Sequence, residues 1–172
     1  MRILPFILFV CFCGLASVSL MRMQGGTATQ SPWIGHNAPT IYAQPLDAST
    51  AHESVIQDKV TILNIFASWC GPCVAEHPLL TKLSRESGAE LVGIAWNDSG
   101  AAIEGFLAEH GNPYARVYLD SASGSALALG IRGVPETFII DREGVIRFHS
   151  AGPITDTVLE RDMLPLLKVL AQ

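Results

Sequence analysis

Val60-Thr61-Ile62-Leu63-Asn64-Ile65-Phe66, followed by Ala67-Ser68-Trp69-Cys70-Gly71-Pro72-Cys73-Val74, decides how this chain folds. Val60 to Phe66 is a short apolar run rich in β-branched residues, the pattern of a buried strand. From Gly71 to Ser87 the apolar residues Val74, Leu79, Leu80 and Leu83 recur at helical spacing, with Lys82, Arg85 and Glu86 elsewhere, which predicts a helix. Pro72 fits the first turn, where a missing N–H costs nothing, and Pro78 falls mid-helix and predicts a kink. A strand therefore hands over to a helix at Trp69-Cys70-Gly71-Pro72-Cys73.

That handover carries chemistry. Cys70 falls at the helix N-terminus, where free N–H groups and the dipole favour a thiolate and make it the attacking sulfur near neutral pH. The intervening Gly71 and Pro72 let the sulfurs close into a disulfide over the first turn. Cys73 lies one turn in, more buried and suited to resolving a mixed disulfide. Trp69 is expected to shield the Cys70 sulfur and to meet partners, with plain packing as the alternative. A Cys-x-x-Cys beside a βαβ pattern is a redox signal. Zinc could draw on Cys70, Cys73 and His77, but no second Cys pair or clustered His completes four ligands. Covalent haem attachment needs His directly after the second Cys, and Val74 stands there. The expectation is no metal and no organic cofactor, with the thiols themselves as the redox group.

Working outward, Leu91–Trp96 reads as a second buried strand, Ser99–His110 as a helix stopped by Gly111, and Ala115–Leu119 as a weaker strand. Ala122–Leu129 is a short helix closed by Gly130. Thr137–Ile140 and Val145–His149 are strands joined by the turn Asp141-Arg142-Glu143-Gly144. Thr155–Leu170 is a final helix with a bend at Pro165. Just before the hairpin stands Gly133-Val134-Pro135-Glu136-Thr137, where a proline opening a strand is a candidate for a cis bond. The order βαβα, βα, ββα is an α/β domain.

The chain has 172 residues, 49% of them hydrophobic and 16% charged, enough for one domain plus a tail. Its mean hydropathy of +0.33 owes much to the N-terminus. Net charge is −5, and setting aside Arg2 and Arg22, the charged residues of 1–23, leaves −7. An acidic domain without a basic run has no electrostatic footprint for nucleic acid. Ile3 to Leu20 carries no charge and as a helix would be about 27 Å long, a minimal membrane span. It reads as an uncleaved anchor with Arg2 inside, or as a cleaved signal peptide with small residues Gly14 to Ser19 near the cut. Both export the domain. Cys11 and Cys13 within it read as small apolar residues. The expected organisation is residues 1–23 as anchor or signal segment, 24–33 as a polar linker, and 34–172 as the domain.

Trp69-Cys70-Gly71-Pro72-Cys73 with a later Val134-Pro135 before a hairpin resembles the thioredoxin fold: a central mixed sheet flanked by helices, ending in a β-hairpin and a C-terminal helix. Asn64 to Cys70, Ala75-Glu76-His77-Pro78, Gly111-Asn112-Pro113-Tyr114, Leu129 to Phe138 and Ile146 to Gly152 resemble, in the same order, the DsbE/CcmG family of membrane-anchored periplasmic thiol:disulfide interchange proteins of cytochrome c maturation. The resemblance covers roughly Ile34 to Leu167. It implies a single-pass inner-membrane protein with its catalytic domain in the periplasm. It implies a Cys pair kept reduced by a membrane electron-donor thiol carrier, passing electrons toward the haem-attachment cysteines of apocytochrome c, directly or through a partner thiol protein. It also implies a cis Pro135 that, with Val134, lines the groove where a substrate chain pairs.

The thioredoxin pattern has a buried Asp six residues before the first Cys, and here Asn64 stands there. A proton acceptor for Cys73 is missing from its usual place, and Glu76 or Glu136 is expected to replace it, against the alternative that both are partly solvated surface carboxylates. His77 is expected at the surface or core edge. Gly71-Pro72 is the general thioredoxin dipeptide, which keeps open a membrane-tethered reductase for other exported thiol proteins. An oxidant that installs disulfides and a non-catalytic docking module are the remaining rivals.

Overall fold

The computed structural model describes residues 31–47, 53–120 and 123–172, and Ser31–Gln172 forms one compact unit. The candidate anchor Ile3–Leu20, with Cys11 and Cys13, lies outside the described residues. No helix among the described residues is long and apolar enough to cross a membrane.

The strands are β1 Tyr42–Pro45, β2 Glu53–Ser54, β3 Thr61–Phe66, β4 Glu90–Trp96, β5 Arg116–Asp120, β6 Glu136–Ile140 and β7 Ile146–Ala151. The helices are α1 Gly71–Glu86, α2 Gly100–His110, α3 Gly124–Leu129, α4 Asp156–Val158 and α5 Leu164–Leu170, the last two joined by a π-helical turn over Leu159–Met163. The sheet order is β2-β1-β5-β4-β3-β6-β7. β3, β4 and β5 run parallel, each joined to the next by a crossover helix, while β6 is antiparallel to β3 and β7 to β6. This is the thioredoxin fold: a mixed sheet with helices on its faces, closing in a hairpin and a terminal helix.

β3 is buried at every position, as its central place demands. Alternation sends Ile62, Asn64 and Phe66 to the face carrying α1 and α2, where Phe66 meets Phe106 of α2. Leu63 and Ile65 go to the opposite core, with Ile94, Tyr118, Phe138 and, from α3, Leu129. The structure adds β1 and β2, which sequence periodicity does not reveal: one ends in a proline and the other has only Glu53 and Ser54. α1 runs continuously through Pro78. The last helix departs from the expected simple bend. The Leu164 N–H reaches back to Leu159 O, a π-type bond just before Pro165, whose ring nitrogen has no hydrogen to give.

Candidate active site

Cys70 is the N-cap of α1, and its sulfur accepts the Cys73 N–H at 3.1 Å. That first-turn N–H is shared with the Cys70 carbonyl, also at 3.1 Å, and the sulfur sits at the positive end of the helix, where negative charge is favoured. Cys70 and Cys73 are joined in a disulfide, with Cα atoms 5.3 Å apart. Both are buried, while Gly71, Pro72 and Trp69 are exposed around them. Trp69, 58% exposed, is tethered by its indole N–H to Asn97 O at 3.3 Å and lies against Trp96. The Asp98 carboxylate accepts the Ser68 N–H at 2.7 Å, fixing the approach to Cys70.

On α1, Glu76 lies one turn beyond Cys73, and both belong to its buried face. Glu76 is 1% exposed. Its Oε1 accepts from Asn64 Nδ2 at 3.0 Å and its Oε2 from the Ile154 N–H at 2.7 Å. Asn64 Nδ2 also donates to Thr137 Oγ1 at 3.0 Å, and Asn64 Oδ1 accepts the Tyr114 hydroxyl at 2.8 Å. Burial lifts the Glu76 pKa from 4.5 to about 7, against the opposing pull of the Ile154 and Asn64 donors. Tyr114 is driven well above its usual range, chiefly by burial and then by the Glu76 charge, so it remains a donor. Glu76 is therefore a fully buried carboxyl poised near neutrality, and the surface reading of it is wrong.

Glu136 lies elsewhere. Thr137 faces Asn64 across the β3–β6 ladder, so its neighbour Glu136 faces the opposite side of the sheet from Asn64 and Glu76. Glu136 is 6% exposed, again not a surface group. It is engaged by His149 Nε2 at 2.8 Å and the Arg132 N–H at 3.1 Å. Of the expected carboxylates only Glu76 joins the network beneath the Cys pair. The Val134–Pro135 bond is cis, and Pro135 is buried. The ladder ends with Ile65 opposite Glu136, so Pro135, the residue before β6, stands at the sheet end that leads to Cys70.

His77 is buried at 3% exposure, more deeply than the surface or core-edge place expected, with Nε2 against Gly111 O at 2.9 Å and its ring edge-on to Phe106. Burial lowers its pKa, the Gly111 carbonyl opposes that, and His110 adds to it. Its position leaves it serving α1–α2 packing. Sequence reasoning missed Tyr114, Thr137 and Asp98 as supports. The first two lie inside the quoted Asn112-Pro113-Tyr114 and Pro135-Glu136-Thr137 runs, whereas the Ile154 N–H, a main-chain group, leaves no side-chain trace.

The Redoxin family model matches residues 34–164. The thiol:disulfide interchange protein HelX of Rhodobacter capsulatus is 37% identical over 166 residues, covering 95% of this chain and 93% of that one. The thiol:disulfide interchange protein DsbE of Escherichia coli K12 is 34% identical over 170 residues, covering 95% and 91%. A crystal structure of a thiol:disulfide interchange protein of the thioredoxin family from Chlorobium tepidum superposes with a TM-score of 0.62 at 24% identity, over 79% of this chain and 96% of that one, a likeness of fold. Identity above 30% across nearly the full length of both partners is a family relationship, so the chain belongs to the DsbE/CcmG family of thiol:disulfide interchange proteins and is a protein-disulfide oxidoreductase.

Proposed function

We propose that this protein is an exported reductant serving cytochrome c maturation, anchored to the inner membrane by residues 1–23 with its domain in the periplasm. A membrane thiol carrier keeps the Cys pair reduced. The pair then reduces the haem-attachment disulfide of apocytochrome c, directly or through a partner thiol protein. The observation that carries the reading is the pairing of an N-capping Cys70 with a Cys73 that has a buried carboxyl one turn away.

The steps balance as follows. The Cys70 thiolate attacks one sulfur of the substrate disulfide; that S–S bond breaks, a mixed disulfide forms, and the substrate's other sulfur leaves as a thiolate. Glu76 takes the Cys73 proton, the Cys73 thiolate attacks the Cys70 sulfur, and the substrate's remaining sulfur leaves. Two electrons pass to the substrate and the Cys70–Cys73 disulfide seen here remains. Val134 and Pro135 hold the substrate chain beside it. Trp69, Gly71 and Pro72 form the exposed rim.

The reductant direction is supported by the buried carboxyl. Once ionised, Glu76 opposes a second negative charge on Cys73, so the dithiol gains little from thiolate formation. A strong oxidant is the reverse case, its reduced form being the stabilised one. The Gly71-Pro72 dipeptide supports the same direction. The test uses the full chain with Cys73→Ser, incubated with a disulfide-bonded Cys-x-x-Cys-His peptide and with a generic disulfide peptide. Preferential trapping of the first as a mixed disulfide on Cys70 is expected. Equal trapping of both would favour a general exported-thiol reductase.

A further inference from the structure

Ser31, His149, Glu136 and the Arg132 backbone form one hydrogen-bonded line on the face of the sheet opposite Glu76. A carboxylate only accepts, so the 2.8 Å contact between Glu136 Oε2 and His149 Nε2 places the ring proton on Nε2. The other ring nitrogen, Nδ1, is hydrogen-bonded to the Ser31 hydroxyl at 2.6 Å, and Ser31 Oγ accepts the Trp33 N–H at 3.2 Å. At the far end Glu136 Oε1 accepts the Arg132 N–H at 3.1 Å, closing the turn that carries Val134 and Pro135. The His149 ring is fixed by stacking flat on Phe138, with centroids 4.2 Å apart and planes within 5°. The His149 and Glu136 side chains are only 10% and 8% exposed.

A second contact comes from the same short segment. Gly130 closes α3 at φ +63°, and a Cβ there would come within 3.3 Å of the Trp33 ring. Residues Ser31 and Trp33 thus hold the Gly130–Glu136 loop at both ends: Trp33 directly at Gly130, and Ser31 through His149 and Glu136 at Arg132. The Gly152 N–H, just past the end of β7, adds a bond to Pro135 O at 2.9 Å.

We infer that His149 and Ser31 are positioning residues that act through Glu136 on the wall of the substrate groove, setting how tightly a polypeptide disulfide is held while the sulfur chemistry stays with α1. This rests on the reading of Val134–Pro135 as that groove. It also gives Glu136 a role other than proton transfer to Cys73.

The test is single-turnover reduction of a disulfide-bonded Cys-x-x-Cys-His peptide by the reduced full chain, followed by separation of the oxidised and reduced peptide after rapid acid quench. His149→Ala is expected to raise the half-saturating peptide concentration roughly tenfold, the scale of one lost charge-assisted hydrogen bond, with the limiting rate within about twofold. His149→Gln keeps an N–H donor toward Glu136 and is expected to recover to within about threefold of the parent, while Ser31→Ala gives a rise of about threefold. Should His149→Ala not fold, these two variants carry the test. An unchanged half-saturation in the His149 and Ser31 variants, or a fall in the limiting rate alone, overturns the inference. Pro135→Ala separates the two readings. If it raises half-saturation while the His149 variants do not, the groove stands and the bracing fails; if it changes nothing, the groove reading fails.

Discussion

Asn64 Nδ2 donates to Glu76 Oε1 at 3.0 Å, so the position where the thioredoxin pattern has a buried Asp holds an amide that orients a carboxyl of the neighbouring helix. That carboxyl stands on α1, one turn past Cys73, and the amide on β3. Held at about 7 by burial, the group exchanges its proton in the range where thiol–disulfide exchange runs.

Glu76→Gln is expected to slow resolution of the mixed disulfide by about a hundredfold and to flatten its pH profile around neutrality. Stopped-flow measurement from about pH 5 to about pH 9 checks this. A parental profile in the variant would remove Glu76 from the proton path. Glu136→Gln is expected to leave the inflection in place.

Stability should carry the same group's signature. Glu76 titrates at 4.5 when unfolded and at about 7 when folded, so the native state binds the extra proton between those values. Its contribution is fully present below pH 4.5 and is lost as pH rises through 7, a difference of about 3 kcal/mol. Urea unfolding of the oxidised protein at both ends of that window should show the parent losing stability relative to Glu76→Gln as pH rises. A constant difference between the two proteins would contradict the buried, raised carboxyl.

Gly93→Ala tests how the network is braced. Gly93 pairs with Asn64 across β3–β4, and a Cβ there would lie 2.9 Å from Phe66 and 3.0 Å from the Tyr114 ring. Those rings stack at 4.8 Å, and Tyr114 holds Asn64. Displacing them should cost about 1–3 kcal/mol and shift the pH inflection of the Glu76 step, whereas an ordinary packing defect would lower the melting temperature alone.

Asp141 bears on the hairpin rather than on catalysis. Burial works against its charge, but the Val145 and Glu143 N–H groups and Arg147 outweigh that and hold its pKa below 3.8. Asp141→Ala removes the buried acceptor of a turn whose donors otherwise reach water, Arg142, Glu143 and Arg147 being exposed, and should cost about 1–2 kcal/mol by denaturation, with the Cys70–Cys73 potential unchanged. A loss below about 0.5 kcal/mol would contradict this account of the turn.

Much of this was legible in the chain. β3 announces itself because both faces of a central strand are buried, and the Cys pair because a helix start after such a strand needs few residues to define. β1 escaped because a central place in the sheet is not needed to pair Tyr42–Pro45 with β5; tertiary contact alone makes it a strand. The choice between Glu76 and Glu136 was not legible, since it depends on which face of β6 each neighbour takes, and that follows from the Asn64–Thr137 register. The roles of Ser31 and His149 were hidden by their separation along the chain, and Ser31 fell within a stretch that composition reads as linker.

The central claim is that Cys70 and Cys73 form a reducing pair. The most direct measurement is its equilibrium potential in the full chain, against glutathione and dithiothreitol buffers. The account predicts a value clearly more reducing than the glutathione pool, in the region of thioredoxin at about −270 mV; a value near DsbA, about −120 mV, would make the protein an oxidant and contradict it.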